Sequence, residues 1–277
     1  MTTTTAPARV GRGPARTLRI GWERGKLEIK EFFRQRESVV FTVAFPVILL
    51  FIFGSILNYN IDGGIRFSQY FVPGIIAAGL FGVCFQTVAI QIAIERDKGI
   101  LKRLEGTPMP PASYFIGKIV MVFTLVVLEI VVLLAIASVL GKVTLPSDWH
   151  KWVTFGWVTV VGTVAGSLLG IAFSSVPRSG KAAPATITPI ALVLQFLSGV
   201  YFVFTGLPSW LQHVGALFPL KWIAQGYRSV FLPDSFAAQE PAHHWEHGRI
   251  ALVLVLWAVG GLIITLRTFR WRSSRDS

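Results

Sequence analysis

The sequence predicts an all-α integral membrane protein. It should have six transmembrane helices, N and C termini cytoplasmic, an amphipathic N-terminal interfacial helix, and short re-entrant or surface helices before the last span. Two observations carry this. Of the 277 residues, 53% are hydrophobic and 14% charged, against roughly 45–50% apolar and roughly 25% charged in an average soluble domain. The apolar residues also gather into six runs, 38–57, 70–94, 114–140, 152–173, 187–204 and 250–266, each near the roughly 20 residues that a helix needs to cross the hydrocarbon core. The single cysteine, Cys84, lies inside one of these runs, which excludes a disulfide framework and a cysteine-based metal cluster.

Taken in order, residues 1–16 are rich in Thr, Ala, Gly and Arg and read as a disordered cytoplasmic tail. No apolar stretch begins before about Ser38, so no cleaved leader is expected. Residues 17–37 place Leu18, Trp22, Ile29, Phe32 and Phe33 on one helical face, largely opposite Arg19, Glu23, Lys26, Lys30, Arg34 and Glu37. That pattern fits a helix lying in the inner headgroup layer, as a plain anchor or as a mechanical element. Pro46 should kink the first span, while Pro73 and Pro189 fall in first turns, where a missing N–H costs little. Gly162, Gly166 and Gly170 form a small-residue face suited to close helix packing. The outer segment 205–249 is too long for a plain connector. It contains two short helices within 205–233, SWLQHVGALF and LKWIAQGYRSVFL, whose Trp210, Trp222 and Tyr227 suit the outer headgroup level. Residues 267–277 read as a basic cytoplasmic tail.

The formal net charge is +12, which in a soluble protein would suggest nucleic acid. Here twenty of the 26 Lys and Arg lie before residue 38, in 95–118, in 174–186 or after 266, and six lie in the alternate loops. Cationic side chains stay cytoplasmic during insertion, so both termini are expected inside. The charge is then explained by orientation and by contact with anionic membrane lipids, with no nucleic-acid partner.

The segment after the second span, ERDKGILKRLEGTPMPPASYFIGK, is the most informative. Gly99 breaks the span, and Ile100, Leu101 and Leu104 share one face of a short helix with Lys102, Arg103 and Glu105 around the other. Gly106 and prolines 108, 110 and 111 then turn the chain back. A short charged helix with an apolar ridge, parallel to the membrane, suits docking in a groove on another protein. This stretch resembles the cytoplasmic signature of ABC-2 type permeases, the membrane subunits of bacterial ABC exporters. The matching residues are Glu95, Arg96, Gly99, Leu101, Lys102, Arg103, Leu104, Thr107 and Pro108, followed by Gly117 and Lys118; Ile100 stands where a Thr is common.

The resemblance implies a coupling segment at 95–113 that docks on a separate ABC ATPase. It also implies pairing with a second permease copy or a homologous permease in the bacterial inner membrane, and export of amphipathic, drug-like small molecules. A lipid or lipid-linked glycan is the alternative cargo. No phosphate loop is present, since Gly25-Lys26 is followed by Leu27 and Gly180-Lys181 by Ala182. The chain is therefore not expected to hydrolyse ATP, and ATP and magnesium belong to the partner.

Within the spans, Glu129 lies 15 positions past Tyr114, about 22 Å along the axis. A carboxyl at that depth must face a partner helix or an aqueous path, or be neutral. It either meets a cationic substrate, carries a proton, or bonds a neighbouring span. Gln86, Gln195, Phe196 and Tyr201 are the other candidates for a transport path. His243, Glu246 and His247 match the H-x-x-E-H pattern of zinc hydrolases. That gives a membrane metallohydrolase as a distant alternative, beside adventitious metal binding or a plain polar connector.

Overall fold

The structure, a computed structural model, describes residues 13–57, 59–61 and 64–269; the tail expectations for 1–12 and 270–277 lie outside them. Helix α1 (Pro14–Arg34) starts slightly earlier than the apolar stripe predicts, with Pro14 in its first turn, where no N–H is needed. Its inward face is Gly21, Gly25, Glu28 and Phe32, whereas Leu18, Trp22 and Phe33 stay exposed. Next comes α2 (Arg36–Ile56), with a π-helical turn at Val40–Ala44 directly ahead of Pro46. Proline cannot donate to the carbonyl one turn back, and the helix widens in the turn that precedes Pro46. A small antiparallel hairpin, β1 (Asn60–Ile61) with β2 (Ile65–Arg66), leads onward.

Helix α3 (Phe67–Asp97) carries a second π-helical turn at Gly82–Thr87. Gly99, in the left-handed region at φ 68°, separates it from the one-and-a-half-turn α4 (Ile100–Glu105). Pro110 and Pro111 then open α5 (Pro111–Val139). Helix α6 (Trp149–Phe173) is capped by the Asp148 carboxylate, which accepts from the His150 backbone N–H at 2.9 Å. The remainder is α7 (Ala183–Leu197), α8 (Ser209–Ala216), α9 (Pro219–Phe231) and α10 (His247–Thr268).

Five of these helices, α2, α3, α5, α6 and α10, are long and apolar enough to cross a membrane. The run 187–204 differs from expectation. Its helix, α7, has 15 residues, about 22 Å, shorter than a hydrocarbon core of about 30 Å. It stops because Gly199 turns the chain at φ 67°. Pro73 and Pro189 are also not in first turns: α3 and α7 begin well before the apolar windows, so both prolines sit inside helices.

Helices α3 and α6 form the interior, and α2 and α10 are mostly exposed. The glycine face of α6 acts as predicted. A Cβ on Gly166 would meet Cys84 at 2.8 Å, and one on Gly170 would meet the Cys84 and Phe85 carbonyls at 2.7 Å, so α6 lies directly on the π-helical turn of α3. Helix α9, expected as a re-entrant or surface helix, does not lie exposed on the surface. Every residue from Pro219 to Phe231 is buried, wedged between α3 and α6, and only Trp210 on α8 keeps the exposure expected of an interfacial aromatic. The polar side chains of α9 find partners inside the chain, which is what permits its burial.

Candidate functional site

At the end of the bundle that carries α4, a buried ionic network joins three helices. Lys118 of α5 is 3.0 Å from Glu28 of α1 and 2.7 Å from Glu95 of α3. Glu95 also accepts from the Tyr114 hydroxyl at 2.7 Å, and Arg24 sits 3.0 Å from Glu28 and over the Tyr114 ring. Burial pushes the Glu28 carboxyl above its ordinary range, against the pull of Lys118 and Arg24. The approach that permits these contacts is set by glycines. A Cβ on Gly25 would meet Val120 at 2.7 Å, and one on Gly117 would meet Arg24 at 2.9 Å. The Ser113 hydroxyl adds a bond to the Thr17 carbonyl at 3.1 Å.

The nine candidate coupling residues divide between this network and the surface. Glu95 belongs to the network. Arg96 donates to the Ser174 carbonyl at 2.7 Å and its hydroxyl at 3.1 Å, pinning the end of α3 to the loop after α6. Gly99 supplies the break. Thr107 caps α4 by donating to the Leu104 carbonyl at 2.7 Å, and Pro108 lies in the exposed turn. Lys102 and Arg103 are exposed and Leu104 is half-buried. Leu101, expected on the docking ridge, is 0% exposed and belongs to the chain's own core; it holds α4 down rather than offering it to a partner. Sequence reasoning missed Glu28, Arg24, Gly21 and Gly25. The Gly-x-x-x-Gly spacing at 21–25 was the available signal, obscured by the stronger amphipathic stripe.

A second assembly lies midway along the bundle. A cleft of about 270 Å³ opens between α2, α3 and α7 and reaches α5. It brings together Gln86, Glu129, Gln195 and Tyr201, four of the five residues expected on a transport path. Phe196 does not line it but packs against the Tyr201 ring at 4.8 Å. Gln86 donates to the Thr188 hydroxyl at 3.1 Å, and the Tyr201 hydroxyl donates to the Gln195 side-chain amide oxygen, Oε1. Both π-helical turns border the cleft, one contributing Thr42 and the other Gly82, Val83, Gln86 and Thr87; such turns recur at functional sites.

At the opposite end, α9 presents a buried charged group. Arg228 donates to the Gly199 carbonyl at 2.5 Å and lies 3.9 Å over the Tyr70 ring. Lys221 donates to Gln225 at 2.6 Å and stacks 3.7 Å from the Trp222 ring; burial lowers its ammonium to about 8. Burial raises the Glu240 carboxyl, against Arg228 and Lys221. Burial would also raise Glu246, but the Arg249 hydrogen bond and the Lys221 charge hold it below its usual range. The zinc-hydrolase pattern does not assemble. His243 pairs with the Ala238 carbonyl, His247 with the Ser229 hydroxyl and Glu246 with Arg249, and no group of three metal-ligating side chains gathers among the described residues.

Helices able to cross a membrane, a braced charged segment at one end and a cleft among the helices are the frame of a multi-pass membrane protein. The chain belongs to the ABC-2 type transporter family, whose model matches residues 25–232. It is 20% identical to a protein described as a transport permease, YvfS of Bacillus subtilis, over 72% of this chain and 80% of that one. It is 24% identical to the inner membrane transport permease YadH of Escherichia coli K12, over 73% of this chain and 80% of that one.

Proposed function

We propose that the chain is the membrane-spanning subunit of an ATP-driven ABC exporter in the bacterial inner membrane, with both termini cytoplasmic. Two subunits, a second copy or a homologous permease, enclose a path for amphipathic molecules, drug-like or lipid-like. Separate ABC ATPase subunits bind ATP and magnesium beneath them. The observation that carries this reading is the network at Lys118, which ties α1, the end of α3 and the start of α5 together next to α4. A push on α4 by closing ATPases therefore moves three helices as one body, and their tilt switches the cleft from inward to outward access. The exposed Leu18, Trp22 and Phe33 of α1 suit the inner headgroup layer.

The test uses the chain co-expressed with a separate ABC ATPase subunit and reconstituted in liposomes. ATP-dependent movement of an amphiphile is the expected result; movement without nucleotide contradicts the proposal. Arg103 is exposed on α4, so Arg103→Glu should keep the fold and lower ATPase co-purification by about tenfold, as expected when like charge is set against a partner surface. Undiminished co-purification would remove α4 from the docking surface.

A further inference from the structure

We propose that the cleft beside Glu129 is a binding site for an organic cation with an apolar, aromatic-sized body, the Glu129 carboxylate taking its positive head. This rests on the export reading and names the substrate class of that path.

Glu129 is 2% exposed, and neither carboxyl oxygen has a hydrogen-bond partner among the described residues. A carboxyl so placed forgoes the bonds that normally offset its burial, and it lines the one face of the cleft contributed by α5. The fold makes room for it. Gly79 of α3 lies against the Glu129 carboxyl so closely that a Cβ there would overlap it, and Gly82, one turn on, also lines the cleft with open space where its Cβ would be.

The rest of the lining selects the ligand. Among the described residues no Lys, Arg or His borders the cleft, so an anion would find no countercharge there, and a single carboxyl supplies less negative charge than sites for bare divalent ions gather. Phe45 and Tyr201 supply aromatic walls, Leu49, Ile75 and Leu192 aliphatic ones, and Gln86 and Gln195 already spend polar atoms on Thr188 and Tyr201. An acidic point at the back of an aromatic and aliphatic wall is the arrangement that holds a quaternary or protonated amine. Phe45 and Leu192 line the cleft and are also exposed on the surface of the chain, so a ligand can reach it from the side of the bundle.

The experiment measures equilibrium binding of tetraphenylphosphonium and of tetraphenylborate, equal in shape and opposite in charge, to the full chain in lipid nanodiscs without nucleotide. The expected result is saturable phosphonium binding above empty discs. In Glu129→Gln it should weaken roughly ten- to hundredfold, the loss of one opposite-charge interaction in a partly desolvated cleft. Glu129→Asp should retain most of it, and borate binding should not weaken in either variant. Equal loss of both probes, or no loss of either, overturns the proposal. A measurement on the unaltered chain guards against a misfolded variant: dicyclohexylcarbodiimide labelling of Glu129, mapped by mass spectrometry, should be blocked by the phosphonium and not by the borate. Labelling that proceeds equally with both probes present overturns it too. Because no ATP is involved, failure here leaves the ATPase-driven reading intact, and failure of ATP-dependent transport leaves this site testable.

Discussion

Replacing Lys118 by Met tests whether the three basal helices are held by charge. Lys118 is the cation shared by Glu28 and Glu95, and the side chains of Lys118 and Glu28 are 3% and 6% exposed. Removing one member of a buried pair costs about 3–5 kcal/mol because a charge is left without its partner. The structure narrows that range. Glu28 keeps Arg24 at 3.0 Å, and Glu95 keeps the Tyr114 hydroxyl at 2.7 Å. A carboxyl can also escape the penalty by taking a proton; from the ordinary value of 4.5 this costs about 3 kcal/mol at pH 7. The variant should therefore lose about 3 kcal/mol, or roughly 6–12 °C in Tm for a chain of this size.

The pH dependence distinguishes charge from packing. Burial holds the folded-state value of Glu28 above 4.5, so the folded state binds this proton more tightly. The contribution favours folding at low pH and is lost as pH rises through the folded value. Without Lys118 that value climbs further, so the deficit against the unaltered chain should widen from pH 5 toward pH 8 and shrink on acidification. Differential scanning fluorimetry of purified protein in detergent reads both curves, and adding Glu28→Gln to the Met variant should recover part of the loss. A deficit that stays constant over this range, or no deficit, would refute the ionic account of how α1 is held.

Two further outcomes follow from the same geometry. Gly25→Leu would set a side chain against Val120, where even a Cβ comes within 2.7 Å; overpacking of this kind costs about 1–3 kcal/mol, and an unchanged thermal unfolding curve would mean that α1 does not rest on α5 through its glycines. Lys221→Met addresses the buried end of α9. Burial lowers the Lys221 ammonium from 10.5 to about 8, so between these values the unfolded chain holds a proton that the folded one has released, and stability rises with pH by up to about 3 kcal/mol. The Met variant should lack that rise, and parallel pH curves for the two proteins would contradict it.

Much of this molecule follows from local chemistry. Apolar runs longer than a soluble core helix requires mark the membrane helices, because hydrocarbon offers the backbone no partner and a helix satisfies its own groups. Gly99 and the prolines at 108, 110 and 111 delimit α4, since only glycine turns easily to φ 68° and proline ends a helix. The glycine face of α6 was likewise legible, as a periodicity on one helix.

Other properties depend on which helices become neighbours. Leu101 looked like a ridge for a partner and is buried in this chain; an apolar side chain reads the same from sequence whether its cover is its own fold or another protein. Helix α9 looked interfacial and lies in the interior, because Arg228, Lys221 and Tyr227 found partners on other elements: the Gly199 carbonyl, Glu246 and the Thr159 hydroxyl. Nothing in the amphipathic pattern of α1 singles out Glu28, whose role is set by Lys118 of α5, 3.0 Å away. Composition and periodicity settle what each helix is and what medium it tolerates, since those are properties of contiguous residues. The shared cation, the unpartnered carboxyl and the cleft around it were decided by tertiary packing alone, because each is made of groups tens of residues apart whose meeting no local pattern encodes.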